Sequence, residues 1–113
     1  MRIVISMGSN INQEANIQAA KALICKLFDN IEFGKSVWTE PVGLVSGKFL
    51  NLLVTAHTGI PKQQVVGKLK QIEQMLGDGN DHHKNGIVNI DLDLIEYDHQ
   101  KLREVTWLKK VKE

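Results

Sequence analysis

The spacing of apolar positions changes repeatedly along the chain, and each change marks an element. Residues 2–6 are rich in β-formers and run into Met7-Gly8-Ser9-Asn10, where Gly and Asn permit the reversal of a strand-to-helix loop. From Glu14 the apolar residues Ile17, Ala20, Leu23, Ile24, Leu27 and Phe28 recur at spacings of three and four, which predicts a helix ending near Asp29-Asn30. Ile31-Glu32-Phe33 and Val37-Trp38 then read as one extended segment interrupted at Gly34, and Pro41 and Gly43 break it into a loop.

The dense apolar run from Phe49 to Ala56, bounded by Gly47 and Gly59, suits a central strand, with Asn51 as its odd member. Thr58-Gly59-Ile60-Pro61 resembles a helix start, and Val65, Val66, Leu69, Ile72, Met75 and Leu76 supply an amphipathic face before Gly77 stops the helix. After a polar stretch over 78–85, Ile87 to Ile95 reads as a further strand. A turn at Asp98-His99-Gln100 leads to a possible extra edge strand from Leu102 to Trp107.

The order β-α-β-β-α-β is that of two split βαβ units. It predicts an α+β, ferredoxin-like fold in which two helices cover one face of an antiparallel four-stranded sheet and leave the other face open. With 113 residues, the expectation is a single domain over 1–113.

Composition narrows the function classes. The formal net charge of +1 gives little support to nucleic-acid binding, and the Lys109-Lys110-Val111-Lys112 cluster reads as a solvated terminus. Cys25 stands alone on an apolar-periodic segment, which excludes a disulfide framework and predicts a buried thiol. No apolar run approaches the ~20 residues of a membrane span, so the expected protein is soluble and cytoplasmic, with no membrane partner.

Asp91 and Asp93 are one residue apart on a predicted strand, so both carboxylates point to the same face. Such a pair either lines a solvated surface or shares a hard cation such as Mg²⁺, which recruits substrate phosphates in turn. Asn51, within an apolar strand, needs a hydrogen-bond partner from the backbone or from a ligand. Asp78, Asp81, His82 and His83 lie in a polar loop where adjacent histidines point apart, which argues against a metal cluster there. His57 and Trp38 read as packing residues, and no nucleophile-base triad assembles.

Four stretches, Met7-Gly8-Ser9-Asn10, Thr39-Glu40-Pro41-Val42-Gly43, Phe49-Leu50-Asn51 and Ile90-Asp91-Leu92-Asp93-Leu94, together resemble the hydroxymethyl-dihydropterin pyrophosphokinase family of folate biosynthesis. The resemblance covers roughly residues 3 to 98 and implies the same ferredoxin-like core. It implies transfer of pyrophosphate from ATP to 6-hydroxymethyl-dihydropterin, with two Mg²⁺ ions held by Asp91 and Asp93 as the catalytic and metal-binding pair. By the same resemblance Thr39, Val42, Phe49 and Asn51 hold the pterin, whereas Glu73, Lys84 and Leu94 contact the nucleotide. The ligands implied are the small molecules pterin and ATP.

The same comparison implies a divergent, C-terminally short member. Where the family carries several arginines and a tryptophan that grip ATP, this chain has Asp78, Asn80, Lys84, Asn85 and Val88. Arginine's bidentate fork is not reproduced by Asp, Asn or Val. A catalytically impaired homologue that binds a pterin-like ligand or a protein partner is therefore the alternative.

Overall fold

The computed structural model describes residues 1–40, 48–77, 87–105 and 107. Its elements are β1 (Arg2–Ser9), α1 (Gln13–Leu27), β2 (Asp29–Phe33), β3 (Val37–Thr39), β4 (Phe49–His57), α2 (Lys62–Met75), β5 (Asp91–Tyr97) and β6 (Gln100–Lys101). All strand pairs are antiparallel, and the sheet order is β2-β4-β1-β5-β6, with β3 beside β4 on the same edge as β2. This is the ferredoxin-like arrangement, with its second strand broken into β2 and β3. The break falls at Gly34, whose N–H still donates to Leu53 O at 2.7 Å.

Strand alternation sorts the side chains. Ile3, Ile5 and Met7 of β1, Leu52, Val54 and Ala56 of β4, and Leu92 and Leu94 of β5 are buried in one core. Against them lie Ile17, Ala20 and Ile24 of α1 and Val65, Leu69 and Ile72 of α2. Burying each large aliphatic side chain contributes about 1.5–3 kcal/mol, and this layer fixes which face of the sheet α1 and α2 cover.

Several sequence expectations need correction. Gly8 and Ser9 belong to β1 rather than to a loop. The reversal falls at Asn12, whose φ of 43° is tolerated by asparagine. β2 begins at Asp29, two residues before the predicted strand, because α1 already ends at Leu27. Residues 87–90 are not part of β5: the Val88 N–H donates to Asn10 Oδ1 at 2.6 Å, so a side chain takes the place of a ladder partner.

The edge strand is β6 rather than a segment from Leu102 to Trp107. Asp98 and His99 both have positive φ, 50° and 69°, which closes a two-residue hairpin and pairs Tyr97 with Gln100. The chain then leaves the ladder, and Leu102 and Arg103 both donate their N–H to Ile95 O. Cys25 is exposed, because the buried stripe of α1 runs through Ile24 and misses its neighbour. Val66 and Met75 are exposed too, at the rim of the α2 face and at its last turn. Among the described residues no helix is long and apolar enough to cross a membrane.

Candidate functional site

The face of the sheet opposite α1 and α2 carries a transverse row. Register pairs Asp91 with Gly8, Gly8 with Asn51, and Asn51 with Val37, and directly opposed residues in antiparallel strands project to the same side. A second row joins Asp93, Ser6 and Leu53, and Thr39 stands opposite Phe49 at the other flank.

Asn51 is buried at 5% exposure. Its Nδ2 donates to Thr39 Oγ1 at 2.8 Å and to Val37 O at 3.4 Å. A backbone carbonyl only accepts, so this contact fixes the amide with its nitrogen toward β3. Oδ1 then faces Gly8, and among the described residues no donor meets it. Protein groups thus take the nitrogen of Asn51, and the oxygen is left without a donor among the described residues.

Gly8 makes this possible. A Cβ there would lie 2.9 Å from Asn51 Oδ1 and 3.7 Å from Phe49 Cδ1. Only the bare glycine backbone lets the amide approach the central strand, whereas the half-buried Phe49 ring lies at ordinary contact distance.

Asp91 and Asp93 are both half-buried on β5. Asp93 Oδ1 accepts from Arg103 Nη1 at 2.8 Å. Among the described residues no group of three or more His, Cys, Asp or Glu side chains converges. Two adjacent hard carboxylates without a full protein cage fit Mg²⁺, which keeps waters and substrate phosphates as its other ligands.

Beside the pair, β5 and α2 border a groove of about 480 Å³. Glu73 lines it and accepts the Leu92 N–H at 2.8 Å, which satisfies a donor on this stretch of sheet edge and ties α2 to the strand that carries both aspartates. Leu94 also lines the groove, although it is largely buried in the core. Three cations, Lys62, Lys70 and Arg103, border the same space.

The approach to Asp91 is fastened on both sides. Asn10 and Val88 exchange two hydrogen bonds, N–H to O at 2.9 Å and N–H to Oδ1 at 2.6 Å. Asn89 Nδ2 donates to Leu76 O at 3.0 Å, close to Gly77, whose φ of 80° ends the α2 segment.

The structure therefore gathers Asn51, Thr39, Phe49 and the Asp pair on one face and sets Glu73 and Leu94 along the adjoining groove. Val42 and Lys84 lie outside the described residues, as do Asp78, Asn80 and Asn85. Two residues that the sequence does not single out join the site. Arg103 reaches Asp93, and Trp107 Nε1 donates to Ser6 Oγ at 2.9 Å on the open face. A two-residue turn at Asp98-His99 is the signal that would have folded residue 103 back beside β5; the longer turn read from the sequence hides it. Trp38, expected to pack, is 51% exposed, and His57 is exposed at the end of β4.

A family model described as 7,8-dihydro-6-hydroxymethylpterin-pyrophosphokinase matches residues 4–110. No curated protein matches the chain.

Proposed function

We propose, since this chain belongs to the 7,8-dihydro-6-hydroxymethylpterin-pyrophosphokinase family, that it transfers the pyrophosphoryl group of ATP to the hydroxymethyl group of a reduced pterin. Pterin pyrophosphokinase activity in folate biosynthesis, with ATP as substrate, is the character of the family. The observation that carries the reading for this chain is the row Asp91, Gly8, Asn51, which sets a heterocycle-reading amide across one strand from a carboxylate pair.

In this reading the Asn51 oxygen accepts from a ring N–H of the pterin. Phe49 and the bare surface of Gly8 offer a flat apolar floor, and Thr39 fixes the Asn51 amide by accepting from its nitrogen. Val42 completes the pterin side by resemblance. Asp91 and Asp93 hold Mg²⁺. Two such ions, when bound, neutralise phosphate charge and favour an acceptor oxygen in line with the β-phosphorus. The acceptor oxygen forms a bond to the β-phosphorus, the bond from that phosphorus to the α-phosphate oxygen breaks, and AMP leaves while the hydroxyl proton passes to solvent.

The remaining work of the chain is positioning. Glu73 holds the backbone of β5 at Leu92, and Leu94 and the groove beside it accommodate the nucleotide; by resemblance alone, Lys84 adds positive charge. Turnover tests the proposal: AMP should form from ATP only when 6-hydroxymethyl-dihydropterin and Mg²⁺ are both present. Asp91→Asn should lower the rate by roughly a hundredfold or more, the scale of several kcal/mol that metal charge compensation contributes. Absence of pterin-dependent AMP at saturating substrates would favour the impaired, ligand-binding homologue.

A further inference from the structure

The Arg103–Asp93 ion pair sits where the proposed cation belongs. Arg103 Nη1 lies 2.8 Å from Asp93 Oδ1, in contact with half of the carboxylate pair. A guanidinium at that distance and a divalent cation on the same oxygen repel one another, so one must yield to the other. Both side chains border the groove shared with Lys62 and Lys70, neither of which is held in an ion pair among the described residues.

The local backbone makes the contact both specific and easily released. Register between β1 and β5 slips beside Val4 and Ile5, which leaves Ile95 as the extra residue of β5. Its carbonyl accepts from the Leu102 N–H at 2.7 Å and from the Arg103 N–H at 3.3 Å, anchoring residue 103 beside the strand that carries Asp93. The side chain beyond that anchor is 63% exposed, against 34% for Asp93. An exposed pair of this kind is held weakly, and a long side chain can turn without disturbing the core.

We propose that Arg103 is a displaceable counter-cation: it neutralises Asp93 in the ligand-free protein, gives up that carboxylate when a divalent cation binds, and then pairs with the polyphosphate that the cation carries. The inference rests on the reading of Asp91 and Asp93 as a cation site. Its chemical basis is that a planar fork of N–H donors suits carboxylate and phosphate oxygens alike, so one residue can serve both in turn. Lys62 and Lys70, on α2 across the groove, extend the same positive border toward an anionic ligand.

Calorimetric titration of the full chain and its Arg103→Gln variant, first with Mg²⁺ alone and then with a nonhydrolysable ATP analogue at saturating Mg²⁺, tests this. Loss of the competing guanidinium should tighten binding of Mg²⁺ alone by about two- to fivefold, the scale of an exposed ion pair. The same variant should bind the analogue roughly tenfold more weakly, the scale of a lost charge-assisted hydrogen bond. Arg103→Lys should lie between the two proteins. A merely structural role shifts both affinities in one direction; that result, or no change in either, overturns the proposal. If Asp91→Asn and Asp93→Asn bind Mg²⁺ as the unaltered chain does, the cation site itself fails. If they lose Mg²⁺ while Arg103→Gln behaves like the unaltered chain, only the role of Arg103 fails.

Discussion

At Gly8 one missing methyl group decides whether the Asn51 amide reaches the sheet surface. A Cβ would stand 2.9 Å from Asn51 Oδ1, well inside contact distance. Gly8→Ala should therefore push the amide off Thr39 and weaken pterin binding by roughly tenfold, the scale of a hydrogen bond lost together with its geometry. Equilibrium binding by quenching of pterin fluorescence checks this, and unchanged affinity would mean that Asn51 does not read the ring. Glu73 is a second residue whose effect is local. Its carboxylate is the acceptor for the Leu92 N–H, so Glu73→Ala should cost about 1–3 kcal/mol in urea unfolding by leaving that donor unmade. Glu73→Gln should recover most of the loss, because an amide oxygen still accepts.

Among the elements, β5 matters most, and its ladder with β1 is supplemented by side-chain contacts of the segment that leads into it. Asn10 takes the Val88 N–H and Asn89 caps the end of α2 at Leu76. Asn10→Ala should lower stability by about 1 kcal/mol and speed amide exchange at Val88 more than at Leu52 in the middle of β4. Equal protection at both amides would remove the clamp from the account. These contacts also explain what was legible in the sequence. The helix faces through Ile17, Ala20 and Ile24 and through Val65, Leu69 and Ile72 follow from periodicity, as do the strands that face them. The start of β5 did not, because Ile87 to Ile90 are apolar enough for a strand, whereas the Val88 N–H is taken by the distant Asn10 side chain. Asp91 and Asp93 were legible as a same-face pair, whereas the Arg103 contact depends on a tight Asp98-His99 hairpin whose two positive φ angles no apolar pattern signals.

For the molecule as a whole, the ferredoxin-like topology brings the two proposed ligand regions together. Central β1 joins the Asn51 strand on one side to the Asp91 strand on the other, so residues forty positions apart in the chain meet across Gly8. The helices close the opposite face, and the groove beside β5 opens next to the carboxylates. Binding at the joined site should stabilise the entire fold. An ATP analogue with Mg²⁺ at a hundred times its dissociation constant should add about 2.7 kcal/mol and raise the melting temperature on the order of 10 °C. Asp91→Asn should abolish the part of that rise that requires Mg²⁺.

The most direct measurement is a crystal structure of the chain with Mg²⁺, a nonhydrolysable ATP analogue and 6-hydroxymethyl-dihydropterin. The expected result is metal density bridging Asp91, Asp93 and phosphate oxygens, with the pterin ring over Gly8 and a ring nitrogen within hydrogen-bond distance of Asn51 Oδ1. A pterin bound away from the Asn51 row, or phosphates held without metal at the aspartates, would contradict the account.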